Sequence, residues 1–205
     1  AAHEKSAADD AKAAAAVVAR ADAELRQTEI TQPAVLTVDV ALTRLLAAYG
    51  VVPDMVMGHS LGEYGALVAA DALPFEDALR AVAGRGREMA NVQVDDNGLM
   101  AAVFAPLDDV IRAVAAVDEY VVVANLNSTK QAVIGGSTPG VKAASQMLKE
   151  AGAQVIPLPV SHAFHTRIVA PAAEPLRTVL QRFDVRDDIV PITHSAVTSE
   201  GPRAR

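Results

Sequence analysis

Apolar residues recur at helical spacing through the first part of the chain and at strand spacing through its middle. Val35, Val38, Leu42, Leu45, Leu46 and Tyr49 follow a period near 3.6 up to Gly50. Thr31-Gln32-Pro33 ahead of them supplies a capping hydroxyl and a first-turn proline, so a core-facing helix is expected there. Residues 1–27 are alanine-rich with scattered charges, and Asp9 and Asp10 offer caps for a frayed helix running to about Gln27 that carries no chemistry. A short apolar run at 55–58 reads as a strand, 64–70 as a helix, and 71–74 as a break. A further helix at 75–89 carries Leu79, Val82, Gly86 and Met89 on one stripe. On it Arg80 and Arg87 point away from the stripe, whereas Arg85 falls at its margin, within about 40° of Met89.

From Gly98 the period shortens. Strands are expected at 99–104, 120–126, 131–134 and 154–158, with helices at 108–117 and 141–151 and a turn at Asn127-Ser128-Thr129-Lys130. The order β-α-β-β-α-β is that of a ferredoxin-like motif. It forms a subdomain over 98–160 inserted into a second unit made of 1–97 and 161–205. After it come a helix at about 171–183, a strand-like 189–192, and a loose tail at 199–205.

The junction between the first short strand and its helix reads Gly58-His59-Ser60-Leu61-Gly62-Glu63. A serine with glycines two residues to either side, set between strand and helix, fits a nucleophile elbow, in which the glycines permit a turn too tight for a Cβ. The serine then lies at a helix N-terminus, where free N–H groups and the helix dipole can stabilise an oxyanion. That is the chemistry of acyl transfer, and the expected fold class is α/β, with an α/β-hydrolase-like core built on a parallel sheet. A serine hydroxyl needs a base. His3 lies in the loose N-terminus, and the His59 side chain is expected to point away from that of Ser60. His162, His165 and His194 remain open on pattern alone.

Composition narrows the choice. Hydrophobic residues make up 51% of 205 and charged ones 21%, the balance of a globular protein. With 18 basic and 25 acidic residues the net charge is −7, which argues against a nucleic-acid partner and leaves an anionic substrate to be held by local arginines. The absence of cysteine excludes disulfides, thiolate metal sites and a cysteine nucleophile, and five scattered histidines make no metal cluster. No apolar run approaches the roughly 20 residues that span a bilayer, and the N-terminus is not leader-like, so a cytoplasmic protein without a membrane partner is expected.

The extended motif Gly-His-Ser-Leu-Gly-Glu, together with the block His162-Ala163-Phe164-His165, resembles the malonyl-CoA:acyl carrier protein transacylases and the acyltransferase domains of polyketide and fatty acid synthases, over about 28–191. The resemblance implies a malonyl group moved from coenzyme A to Ser60 and on to the phosphopantetheine thiol of an acyl carrier protein, with no resident cofactor. It also ranks the histidines. Phe164-His165-Thr166, ahead of Ala170-Pro171, matches the family's base, so His165 is the implied partner of Ser60, and His162 and Phe164 belong to the malonyl-selective signature. Leu61 after the nucleophile is similar to the malonyl type, and its backbone N–H is the implied oxyanion donor. Arg85 matches the arginine of an Arg-Gly-x-x-Met segment that forks onto the malonyl carboxylate. Asn125, Asn127 and Gln131 resemble a scaffolding turn near the cleft.

Family members begin with a strand leading into a Gly-Gln-Gly segment whose glutamine completes the oxyanion hole, and they continue past the 189–192 strand. No such segment precedes Thr28 here, so one of two donors is expected, at a cost of about 10²–10³ in rate. Two rivals stand beside this reading. A serine hydrolase would need an acidic third member, yet Asp95, Asp96, Asp108, Asp109 and Asp118 sit in turn or helix-start contexts that explain them as caps. The other rival is a truncated, non-catalytic docking unit of a synthase.

Overall fold

The structure is a computed structural model and describes residues 2–186 and 193–194. Helix α1 (Ala2–Leu25) is followed by α2 (Thr28–Ala48), the two-residue strand β1 (Met57–Gly58), α3 (Gly62–Ala69) and α4 (Phe75–Ala90). Next come β2 (Leu99–Phe104), α5 (Leu107–Ala115), β3 (Val121–Ser128), β4 (Gln131–Gly136), α6 (Thr138–Glu150) and β5 (Gln154–Pro157). A 3-10 segment (Arg167–Ala172), α7 (Ala173–Leu180) and β6 (Thr193–His194) complete the order. The expected strand at 189–192 and the tail at 199–205 lie outside the described residues.

Strands β2 to β5 form an antiparallel sheet in the order β3-β4-β2-β5, so the middle of the chain is a β-α-β-β-α-β unit with α5 and α6 on one face. Strand alternation sorts its side chains. Ala101, Val103, Ala132 and Ile134 pack with Val110, Ala144 and Leu148 of the helices, while Met100 and Val133 turn to the other face and meet Ala163 and Phe164. A bulge interrupts β3, because Val123 pairs with Ile134 and Asn125 with Val133, leaving Ala124 as the extra residue. Two successive residues then face the same side. The bulge turns Asn125 out of the helix-packed face and onto the face with Val133.

Helix α2 corrects the expected helix start and its expected packing. It begins three residues before Thr31, with Gln27 as cap, and Pro33 lies inside it; Thr31 donates backward to the Leu25 carbonyl instead of capping. The residues that pack against α3 and α4 are Leu36 and Val40, whereas Val38, Leu42, Leu45 and Leu46 are all more than half exposed. The periodicity located an apolar face correctly, but it says nothing of what covers that face, and no described element does. Val35, Leu42 and Leu46 of α2, with Val51 and Met55–Met57, line a groove of about 750 Å³. By length and composition α2 would also pass for a membrane span, with a mean hydropathy of 1.2, contrary to the expectation from apolar runs. Its packed residues Leu36 and Val40 mark it instead as a core helix with one open side.

Close approach fixes two glycines. Gly86 on α4 lets the α2 backbone come in, since a Cβ there would stand 2.7 Å from Glu29 Cα. In the elbow the two flanking glycines differ. A Cβ on Gly58 would lie 2.2 Å from backbone atoms of Gly62 and Glu63, whereas one on Gly62 would meet nothing within 4 Å. The tight turn therefore requires the first glycine and not the second. Gly58→Ala should cost stability at the upper end of the about 1–3 kcal/mol range for overpacking, and Gly62→Ala should be neutral or stabilise by up to about 1 kcal/mol, as read by urea unfolding. Equal losses from the two would refute the assignment.

Candidate active site

Ser60 follows β1 and precedes α3 with φ +53°, a left-handed value for a residue with a Cβ. His165 shares that strain at φ +58°, and among the described residues only Asp71 joins these two as a non-glycine in that region. The two strained residues meet. His165 Nε2 lies 2.9 Å from Ser60 Oγ, across 105 residues of sequence, so the imidazole can accept the hydroxyl proton if its own proton is placed on Nδ1. Strain held at both partners of one hydrogen bond is the kind that surrounding structure maintains for a purpose.

Arg85 joins them from α4. Its Nη2 donates to the same Oγ at 3.2 Å, and its Nη1 donates to Gln32 Oε1 at 2.7 Å. Sequence placed Arg85 at the edge of an apolar stripe; the fold puts it half-buried beside the hydroxyl. Gln32, which sequence assigned to a helix start, is buried, with its Nε2 3.6 Å from Met89 Sδ, and it holds one side of the guanidinium. Its spacing one residue before Pro33 gave no signal of this.

The Leu61 N–H lies at the start of α3. The next three amides bond back into the turn, Gly62 to His59 O, Glu63 to Ser60 O and Tyr64 to Leu61 O, while no backbone hydrogen bond is formed by the Leu61 N–H among the described residues. It remains available to an oxyanion.

Two histidines depart from expectation. His59 does not turn away: it lines the cleft, its ring centroid is 6.5 Å from that of His165, and its Nε2 is 3.2 Å from Asn125 Nδ2, which ties the elbow to the bulged strand. His162 is buried at 4% exposure and does not line the cleft. Its Nε2 lies 3.1 Å from the Val92 carbonyl and its Nδ1 3.1 Å from Ser161 Oγ, so any influence on the acyl group passes through Ser161 and Phe164, which do line it. Asn125 and Asn127 line the cleft, while Gln131, at the hairpin end of β4, does not. The His194 side chain lies outside the description. Asp96 accepts from Gly98 N within its own turn and from Thr138 N and Thr138 Oγ1 at the start of α6, which Ser137 caps, so it ties the turn to that helix; these bonds, those to Thr138 first, lower its pKa. Among the described residues no carboxylate pairs with His165, and no group of three His, Asp or Glu could hold a metal.

Burial lowers the His165 pKa from 6.5, and the positive charge of Arg85 and the neighbouring His59 lower it further. The imidazole is thus neutral, and able to act as a base, at neutral pH and somewhat below. The acid limb of an acylation rate against pH should have its midpoint under the ordinary histidine value of about 6.5. Arg85→Gln removes a cation that disfavours the imidazolium, so the midpoint should move upward. A limb that stays in place would show that the two groups do not interact.

Serine, imidazole and guanidinium thus share one cleft of about 450 Å³, a size suited to a small-molecule substrate, and the Leu61 amide follows Ser60 directly in the turn. Such an arrangement can chemically place an acyl group on a serine and offers a cation to an anion beside it. The chain belongs to the acyl transferase domain family, whose description matches residues 4–203. It is 43% identical over 174 residues to the malonyl CoA-acyl carrier protein transacylase of Bacillus subtilis, covering 82% of this chain and 55% of that protein. Among solved structures, MCAT from Streptococcus pneumoniae superposes with a TM-score of 0.75 at 42% identity, covering 84% of this chain and 58% of that one. A malonyl-transacylase in complex with its type II PKS acyl-carrier protein superposes with a TM-score of 0.76 at 35% identity, covering 83% and 57%. The chain therefore spans a little over half the length of these relatives.

Proposed function

We propose that this chain is an acyltransferase that takes malonyl from coenzyme A onto Ser60 and passes it to the phosphopantetheine thiol of an acyl carrier protein, in fatty acid or polyketide synthesis. The observation that carries it is the Arg85 guanidinium 3.2 Å from the same Oγ that lies 2.9 Å from His165. A hydrolase of neutral esters has no use for a half-buried cation beside its nucleophile, whereas an acyl group ending in a carboxylate does. The names of the relatives support the same substrate and partner.

In this reading Ser60 Oγ attacks the thioester carbonyl as its proton passes to His165 Nε2, and the oxyanion accepts from the Leu61 N–H. The tetrahedral adduct collapses, the coenzyme A sulfur leaves and takes the proton back from His165. The carrier thiol then gives its proton to His165 and attacks the serine ester; the malonyl–Oγ bond breaks, Ser60 Oγ takes that proton back from His165, and the malonyl group leaves on the carrier sulfur, so no resident cofactor is required. Arg85 exchanges its contact with Ser60 for the malonyl carboxylate, and Gln32 keeps the guanidinium oriented. Phe164 shapes the acyl end, with His162 behind it. Coenzyme A thioesters and carrier proteins imply a cytoplasmic setting.

The fold reading that accompanies this is an α/β-hydrolase-like unit over 1–97 and 161–205 with a ferredoxin-like subdomain over 98–160. The parallel β1–β6 pair with its elbow supports the first part, and the strand order β3-β4-β2-β5 supports the second. The test of function is intact mass and peptide mapping after exposure to malonyl-CoA, followed by addition of holo carrier protein. A malonyl adduct on Ser60 that the carrier discharges is expected. Thioester hydrolysis without an adduct, or an adduct elsewhere, would overturn the proposal.

A further inference from the structure

The cleft has a charge pattern unlike the rest of the chain. Of 25 acidic residues in the sequence none lines it among the described residues, while two arginines do, Arg85 and Arg26. Arg85 stands at the nucleophile. Arg26 stands in the turn between α1 and α2, with an exposed side chain that has no carboxylate partner among the described residues. Arg20, on α1, pairs with Glu24 instead. The cleft therefore carries two arginines and, among the described residues, no carboxylate in a protein of net charge −7; Arg85 is half-buried and Arg26 exposed.

The two are separated along α2. Thr28 to Gln32 spans about 6 Å of helix, so Arg26 lies more than one turn from the Gln32–Arg85 contact, beyond the Thr28 Oγ1 to Ser161 Oγ hydrogen bond of 3.1 Å. Apart from the two arginines and the histidines His59 and His165 the lining carries no titratable side chain, and it includes polar Asn127 and Ser161 as well as apolar Met100 and Leu158. A ligand that fits has an anion at each end and an uncharged, partly polar middle. A malonyl pantetheine thioester has that form: a carboxylate, a thioester, two amides, and then a phosphate.

Building on the proposed acyl transfer, we infer that Arg26 is a binding residue for the phosphate at the far end of the pantetheine arm. The 4′-phosphate is common to coenzyme A and to a phosphopantetheinylated carrier protein, so the same arginine serves the donor in the first half-reaction and the acceptor in the second. An exposed arginine–phosphate contact contributes modestly to affinity, more to capture rate, and weakens with salt.

The experiment is calorimetric titration of the whole chain with pantetheine, 4′-phosphopantetheine and coenzyme A, for wild type, Arg26→Ala, Arg26→Glu and Arg26→Lys. Wild type should bind 4′-phosphopantetheine about three- to tenfold more tightly than pantetheine. Arg26→Ala and Arg26→Glu should abolish that difference without changing pantetheine affinity, Arg26→Lys should restore part of it, and high salt should erase it in wild type. In the kinetic arms, Arg26→Glu should slow both loading from malonyl-CoA and discharge to holo carrier protein. An effect on coenzyme A with none on 4′-phosphopantetheine would move the contact to the nucleotide phosphates and overturn the shared role. Equal loss for pantetheine, or no loss for any ligand, would overturn the inference outright. If wild type discriminates the phosphate yet never forms an acyl-enzyme, the proposed function fails while the phosphate site stands.

Discussion

Ser60→Ala should form no acyl-enzyme from malonyl-CoA, at any time or concentration, while unfolding at the same denaturant midpoint as wild type. Among the described residues the hydroxyl hydrogen-bonds with His165 and Arg85 in the cleft, so its removal opens no core cavity. His165→Ala should slow acylation by about 10²–10⁴-fold, the usual contribution of a positioned general base, and should leave detectable acylation because the Leu61 amide and the cleft persist. A third variant reads the strain. Ser60→Gly relieves φ +53° and should raise stability by about 1 kcal/mol while also abolishing acylation. A stable adduct on Ser60→Ala would place the nucleophile elsewhere, and a destabilised Ser60→Gly would show that the turn is not strained.

Much of this site was legible because elbows and amphipathic helices act locally. Glycines around a serine, a strand ahead and a helix behind state a turn, and the Arg85 position relative to Met89 states which way a helical side chain leans. The order of elements from Leu99 to Pro157 came from periodicity alone, since strands of period 2 and helices of period 3.6 are told apart by their own residues. What stayed hidden depends on long-range packing. Pairing of His165 with Ser60 spans 105 residues, and the family resemblance rather than spacing singled it out. The role of Gln32 depends on α2 approaching α4 over Gly86, a contact no local pattern announces. The bulge at Ala124, which turns Asn125 toward His59, has no sequence mark in a run that alternates acceptably without it. The exposed stripe of α2 is the opposite case, in which an apolar pattern was right about the face and silent about its cover.

Arg85→Ala should reduce malonyl-CoA use by about 30- to 4000-fold, the equivalent of losing a desolvated charge-assisted pair at about 2–5 kcal/mol. The structure sharpens what else that change does. The guanidinium donates to Ser60 and to Gln32 and lowers the His165 pKa, so its removal leaves the Gln32 carbonyl oxygen without that donor and makes the imidazole a stronger base. A stronger base does not harm acylation by a substrate that has no carboxylate. Acetyl-CoA should therefore be spared or improved, and the malonyl-to-acetyl preference should collapse or invert. Arg85→Lys should rescue only part of the malonyl rate, because an ammonium cannot present two parallel donors to a carboxylate while Gln32 holds the other side. Gln32→Ala should fall between wild type and Arg85→Ala for malonyl and leave acetyl nearly unchanged, since it loosens the guanidinium without deleting the charge. Acylation rates for both thioesters across these variants decide the matter. A parallel fall for malonyl and acetyl in Arg85→Ala would make the arginine a support for Ser60 rather than the group that recognises the substrate's charge.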